Sequence, residues 1–132
     1  LADTGPIVAI IRADGAHHAR AKAFGQSYTG TLITTWPVIA EAAHLLGRQG
    51  RATLLEMILD GFLAVEDLSA ADTDRMRTML RRYETMDLGD ASIVAIGERL
   101  GVLDVITIDR RDFAVYRTRT GRAFVNHFPK TP

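Results

Sequence analysis

The fold of this chain is decided by the stretch MDLGDASIVAIGERLGVLDVITIDRRDF, which runs from Met86 to Phe113. Its first half is apolar at helical spacing and predicts a helix that ends at Gly101, and the apolar run after the glycine predicts a buried strand. Two acids, Asp87 and Asp90, stand at the start of the helix, and a third, Asp109, follows the strand. The stretch therefore supplies one half of an acidic site.

The other half of the site is expected far upstream. Asp3 precedes Thr4-Gly5-Pro6, a sequence that favours a turn from a strand into a helix, with Thr4 as its cap. Because Leu1 is so close to Asp3, we expect the first strand to begin before Leu1. Glu41 interrupts the apolar run 38–46, and a carboxylate is costly to bury there unless something pairs with it. The candidate acids are Asp3, Glu41, Asp90 and Asp109.

Length and composition indicate one globular domain over residues 1–132. Hydrophobic residues make up 47% of the chain and charged residues 24%, which is ordinary for a soluble protein. No apolar run approaches the roughly 20 residues that span a bilayer, and no signal peptide is evident, so we expect a cytoplasmic protein with no membrane contact. The chain has no cysteine, so oxygen or imidazole must hold any metal ion.

A formal net charge of zero hides a basic C-terminal segment. Residues 99–132 carry 7 basic and 3 acidic side chains. A positive segment of this kind can attract the phosphates of a nucleic acid. The arginines from position 110 to position 122 of this segment are Arg110, Arg111, Arg117, Arg119 and Arg122.

Short strands alternate with helices along the chain. We predict helices over 7–11, 17–24, 36–47, 51–60 and 70–83, and strands over 31–34, 62–66 and 123–125. This alternation is typical of a mostly parallel sheet that helices cover on both faces. Because ligands of such sheets bind beyond the carboxyl ends of the strands, Asp3 and Asp109 are expected at the same edge.

Several other polar residues have simpler explanations. His17 and His18 are adjacent and cannot both face one ion on a helix, so we interpret them as surface residues. His44 lies three residues after Glu41 and is interpreted as a surface or supporting residue. Four arginines on the 70–83 helix predict a solvated face, with contact to RNA or to a partner as the alternative: Arg75, Arg77, Arg81 and Arg82.

The four acids can be explained singly but not easily together. Asp90 could be a first-turn helix acid, and Asp3 and Asp109 could be turn formers. Two carboxylates about 4 Å apart, however, repel by about 1 kcal/mol in water and by about 4 kcal/mol at an effective dielectric of 20. A divalent cation removes this penalty, and oxygen ligands favour Mg²⁺ or Mn²⁺. Such a site suits hydrolysis of a phosphodiester.

Four motifs in this order resemble the PIN domain, in particular the VapC toxins of bacterial toxin–antitoxin pairs. They are Asp3-Thr4-Gly5-Pro6, Glu41 in its apolar helix, Asp87-x-x-Asp90-Ala-Ser-Ile-Val-Ala, and Thr107-x-Asp109-Arg-Arg-Asp-Phe113. The resemblance spans essentially the whole chain. It implies a three-layer α/β/α fold and cleavage of RNA by an activated water with Mg²⁺ or Mn²⁺. It also implies a homodimer and a possible cognate antitoxin.

The resemblance also implies residue roles. Asp3, Glu41, Asp90 and Asp109 match the family's catalytic, metal-binding acids, and Asp87 matches an acid that supports the metal from an outer position. Asp112 is expected to cap a helix. The residues expected to orient the carboxylates or contact the substrate are Thr4, Thr107, Arg110 and Arg111.

Other classes of protein fit less well. A phosphatase of the haloacid dehalogenase type needs a second acid two residues after the first, and position 5 is glycine. A receiver domain needs a different spacing of acids. The alternative that stays open is a PIN-like module that binds RNA or a protein partner without cleaving.

Overall fold

The computed structural model describes residues 1–130, which form seven helices and four short strands. The helices are α1 (Thr4–Ile11), α2 (His18–Ser27), α3 (Trp36–Leu45), α4 (Arg48–Leu59), α5 (Ala70–Arg82), α6 (Leu88–Leu100) and α7 (Arg110–Val115). The strands are β1 (Leu32–Thr35), β2 (Leu63–Glu66), β3 (Asp104–Val105) and β4 (Val125–Asn126).

The N-terminal segment joins two pairs of parallel strands into one sheet. β1 pairs with β2, and β3 pairs with β4. On one side, the amide of Ala2 donates to the carbonyl of Ile33 in β1. On the other side, Ala2 forms a parallel bridge with Ile106, just after β3. The order is therefore β2, β1, the N-terminal segment, β3 and β4, and Asp3 leaves the sheet at its middle.

The central helix is α6, and its sequence explains its burial. Nine of its residues are buried, because apolar and small side chains occupy every side of the helix from Gly89 to Gly97. It ends at Gly101, which has a φ of +70°, a conformation that glycine adopts without a steric penalty. At Gly97 a Cβ atom would lie 2.8 Å from the carbonyl oxygen of Val102, so the chain can turn back tightly into β3.

The remaining helices pack around this core in a continuous arrangement. α1 contacts α2, α3 and α4, while α6 contacts both α3 and α5. α5 begins with a capping box in which Ser69 and Asp72 exchange hydrogen bonds between side chain and backbone. None of the helices within residues 1–130 is long and apolar enough to cross a membrane.

The predicted α/β class and mostly parallel sheet are confirmed, but several local predictions were wrong. Thr4 and Thr35 do not cap their helices, because each hydroxyl bonds to a distant side chain instead. The prediction of a solvated arginine face was wrong for Arg75, which is buried and makes three hydrogen bonds to Glu98. A helix capped by Asp112 was expected, but α7 begins earlier, at Arg110, and α4 also starts earlier than expected because Gly50 lies within it.

Candidate active site

The four predicted acids line one cavity of about 530 Å³ at the carboxyl edge of the sheet. Two further acids, Asp87 and Asp112, line the same cavity. The other lining residues are neutral: Thr4, Gly5, Leu45, Thr85 and Ile108. Within residues 1–130, none of the six carboxylates forms an ion pair with a basic side chain. The cavity therefore concentrates negative charge without a protein cation to balance it.

Asp3 is fixed by its position between two strands. It leaves the sheet between β1 and β3, and its own amide donates to the carbonyl of Ile106. Its Oδ2 accepts a 2.8 Å hydrogen bond from the hydroxyl of Thr107. The Oγ1 of Thr107 in turn accepts from the amide of Asp109 at 3.0 Å. Thr107 thus connects two of the predicted acids through one hydroxyl group.

Glu41 reaches the cavity from α3. Its Oε2 accepts a 3.1 Å hydrogen bond from the hydroxyl of Thr4. The same oxygen lies 3.4 Å from where a Cβ of Gly89 would stand, so the start of α6 passes close to this carboxylate. Below it, the hydroxyls of Thr35 and Ser92 form a buried 2.6 Å hydrogen bond between the start of α3 and α6. This bond holds together the two helices that carry Glu41 and Asp90.

Asp87 and Asp90 lie at the start of α6 and have different partners. Asp87 is the N-cap, and its Oδ1 accepts a 2.8 Å hydrogen bond from the amide of Asp90. Oδ2 of Asp90 accepts a 2.7 Å hydrogen bond from the hydroxyl of Tyr116. The contact of Tyr116 was not predicted, because a tyrosine in a basic segment carries no sequence pattern that indicates contact with an acid.

Asp109 caps α7 and faces the cavity. Its Oδ1 accepts a 3.1 Å hydrogen bond from the amide of Asp112. Asp112 was expected to be the capping residue, and this was wrong, because its carboxylate accepts from the hydroxyl of Thr85 instead. Asp112 therefore connects α7 to the segment that precedes α6.

Burial and mutual repulsion raise the pKa of three of the cavity's acids, Asp112 among them, and the shift is large for Asp3 and Asp90. Burial raises the pKa of Asp3 to about 6, and the charges of Asp87 and Glu41 add to this effect. Burial also raises the pKa of Asp90 to about 7, with further contributions from Asp3 and Asp87. The hydrogen bonds from Thr107 and Tyr116 oppose these shifts. A bound cation would favour the ionised form of both acids.

The chemistry of the donors suits a hard divalent cation. All the charged groups are carboxylates, and the neighbouring polar groups are hydroxyls. No three such side chains in residues 1–130 are already spaced as ligands of one ion. Mg²⁺ usually keeps several of its waters and takes few ligands from the protein, so the cavity can accommodate an ion with some water bridges or side-chain rotation.

The basic residues expected to contact the substrate do not line the cavity. The guanidinium of Arg110 donates to the carbonyl oxygen of Phe128, whereas Arg111 is exposed. Nδ1 of His18 lies 2.7 Å from the carbonyl oxygen of Ala9, and His44 is exposed in the last turn of α3. Like His17, both histidines lie outside the lining of the cavity.

Comparisons with known proteins agree with this architecture. No protein-family model matches the chain. The chain is 24% identical over 128 residues to Ribonuclease VapC26 of Mycobacterium tuberculosis, an alignment that covers 92% of this chain and 95% of that protein. Its fold is similar to the crystal structure of M. tuberculosis VapC20, described as a toxin that cleaves the sarcin-ricin loop. The TM-score is 0.75 at 22% identity, over 83% of this chain and 89% of the other.

The parallel sheet and both comparisons agree with the resemblance found in the sequence. Both similar proteins are VapC proteins, and each alignment covers most of both chains. The resemblance found in the sequence is therefore confirmed: the chain has the PIN-domain fold of VapC20 and is similar to VapC proteins along most of its length.

Proposed function

We propose that this chain is an endoribonuclease that requires Mg²⁺ or Mn²⁺ and acts as the toxin of a type II toxin–antitoxin pair. The observation that carries the proposal is the cavity with six carboxylates and no basic side chain in its lining. Such a concentration of charge is costly unless a cation joins it. The likeness to Ribonuclease VapC26 supports RNA as the substrate class.

The contacts in the cavity support the residue roles that we propose. Asp3, Glu41, Asp90 and Asp109 would hold the ion, and Asp87 supports Asp90 as the helix cap. When bound, the ion would supply an activated water and neutralise charge on the phosphate. The hydroxyls of two threonines are already committed to carboxylates, so we assign Thr4 and Thr107 to orientation of the acids.

A protein partner is part of the proposal. Large apolar side chains are exposed on the neighbouring helices α3 and α4, among them Trp36 (52% exposed), Leu45 (48%) and Leu59 (87%). Leu45 also lines the acidic cavity, so a partner that covers it would restrict access to the acids. This supports an antitoxin or a second copy of the chain as a partner. Co-purification would detect an antitoxin, and light scattering would detect a second copy of the chain. We place the protein in the cytoplasm with its RNA.

The first prediction concerns catalysis. We expect the purified chain to cleave RNA in the presence of Mn²⁺ or Mg²⁺ and Asp90→Asn to lose at least about 100-fold in rate, because the substitution removes a charge at the ion site. Cleavage of labelled RNA is measured with and without EDTA. An RNA that contains the sarcin-ricin loop is a suitable first substrate, since VapC20 is described as cleaving it.

A matched control is Glu56→Gln, which removes an exposed carboxylate from α4. We expect this variant to cleave at the rate of the original chain. Equal cleavage by the original chain and by Asp90→Asn would refute the assignment of the site. Binding of RNA without cleavage by either protein would favour the non-catalytic PIN-like module.

A further inference from the structure

We propose that Tyr116 is a positioning residue of the active site, which fixes the carboxylate of Asp90 so that one oxygen remains available for a divalent cation. This inference rests on the proposed function, because it assumes that Asp90 is a metal ligand. Tyr116 is not among the residues that line the cavity, so it would act through Asp90 and not on the substrate.

The contact between the two side chains is short and buried. The hydroxyl of Tyr116 donates to Oδ2 of Asp90 at 2.7 Å, and only 1% of Tyr116 is exposed. Within residues 1–130, no hydrogen bond to Oδ1 of Asp90 is formed. A carboxylate held in this way presents one oxygen to the cavity, whereas a free carboxylate could rotate.

Two aromatic neighbours hold the ring of Tyr116. Its centroid lies 5.1 Å from that of Tyr83 and 5.0 Å from that of Phe113, and both pairs are edge-to-face. Phe113 in turn packs edge-to-face on Phe124. A ring enclosed on these sides cannot follow a movement of Asp90, so the phenol provides a fixed reference point.

Tyr116 also connects the two ends of the site. It is the residue that follows α7, the short helix that Asp109 caps at its other end. Its hydroxyl reaches α6, which carries Asp90 in its first turn. A single side chain therefore sets the position of Asp90 relative to the helix that begins at Asp109, and both acids line the cavity.

The test is Tyr116→Phe, which keeps the aromatic ring and removes only the donor. We expect Mn²⁺ to bind about tenfold more weakly, the lower range for loss of an outer partner of a metal ligand. Binding is measured from the electron paramagnetic resonance signal of free Mn²⁺, without RNA. RNA cleavage should then need a higher Mn²⁺ concentration and recover much of its rate when Mn²⁺ is saturating.

The matched control is Tyr83→Phe. Tyr83 packs in the same aromatic cluster, but its hydroxyl accepts from the amide of Arg117 and bonds to no acid among residues 1–130. We expect this variant to bind Mn²⁺ as the original chain does. Urea unfolding in EDTA verifies that both variants are folded. An equal loss of Mn²⁺ affinity in both variants would mean that general packing is responsible, and it would overturn the inference.

A second comparison isolates the route through Asp90. In an Asp90→Asn background, Tyr116→Phe should cause no further loss of Mn²⁺ affinity, because the group on which Tyr116 acts is gone. A full further loss would overturn the inference. Unchanged Mn²⁺ affinity in the single variant would overturn it while leaving the proposed nuclease intact. No Mn²⁺ binding by the original chain would overturn both.

Discussion

At the scale of single residues, neutral donors and not cations hold the acids of the cavity. Asp3, Glu41 and Asp90 each accept a hydrogen bond from a hydroxyl: Thr107, Thr4 and Tyr116 respectively. Asp87 and Asp109 each accept a hydrogen bond from a backbone amide and so cap a helix. Neutral donors fix the carboxylates without cancelling their charge. The site therefore keeps its negative charge for a ligand from outside the chain.

Ionisation of Asp3 gives a pH-dependent prediction at this scale. The pKa of Asp3 is raised from 3.8 to about 6, so the folded protein holds the proton more tightly than the unfolded chain. The stability contributed by this group is complete below about pH 4 and is lost as the pH rises through 6. Asn at position 3 cannot ionise. As the pH rises over this range, we therefore expect the unfolding free energy of Asp3→Asn to increase by on the order of 3 kcal/mol relative to that of the original chain.

The measurement is urea unfolding of both proteins in EDTA, from pH 4 to pH 8. The difference between the two unfolding free energies is compared at each pH, which removes contributions from groups that do not interact with Asp3. Glu56→Gln, on the exposed side of α4, should show no such trend. A difference between Asp3→Asn and the original chain that stays constant with pH would contradict the raised pKa of Asp3.

At the scale of elements, the sequence correctly predicted the helices and strands whose own residues determine where they begin and end. The prediction of α6 was correct because a capping residue, an apolar face and the terminating Gly101 all lie within a single stretch of sequence. The pairing of the N-terminal segment beside β3 was harder to predict, because Ala2 and Ile106 are about a hundred residues apart in the sequence. The contact of the Tyr116 hydroxyl was missed for the same reason: Asp90 lies 26 residues earlier in the chain, and only folding brings the two side chains together.

Substitutions of Asp87 can separate the effect of capping α6 from the effect of the Asp87 charge. We expect Asp87→Ala to lose about 1 kcal/mol of stability, because the amide of Asp90 loses its acceptor. Asparagine caps as well as aspartate does, and its neutral side chain no longer repels Asp3 and Asp90. Asp87→Asn should therefore be at least as stable as the original chain in EDTA at pH 7. If urea unfolding shows both variants equally destabilised, the capping assignment is wrong.

At the scale of the whole molecule, the acidic cavity and the basic C-terminal segment have opposite electrostatic effects on RNA. The cavity repels phosphates until a cation binds, and the arginines near it are partly used within the fold. Arg110 bonds to the carbonyl oxygen of Phe128, and Arg117 bonds to those of Ala114 and Tyr116. Three arginines of the segment are exposed and make no side-chain ion pair within residues 1–130: Arg111, Arg119 and Arg122.

These three arginines carry the last prediction. We expect their joint replacement by glutamate to weaken RNA binding and to reduce the salt dependence of binding, by about 0.7 in the logarithmic slope for each phosphate that an arginine no longer neutralises. A charge-matched control replaces Lys22, Arg48 and Arg81, exposed residues on α2, α4 and α5. Binding of a short single-stranded RNA to the Asp90→Asn protein is measured by fluorescence anisotropy at several salt concentrations. An equal change in both triple variants would mean that net charge alone attracts the RNA, and the C-terminal segment would then have no special role.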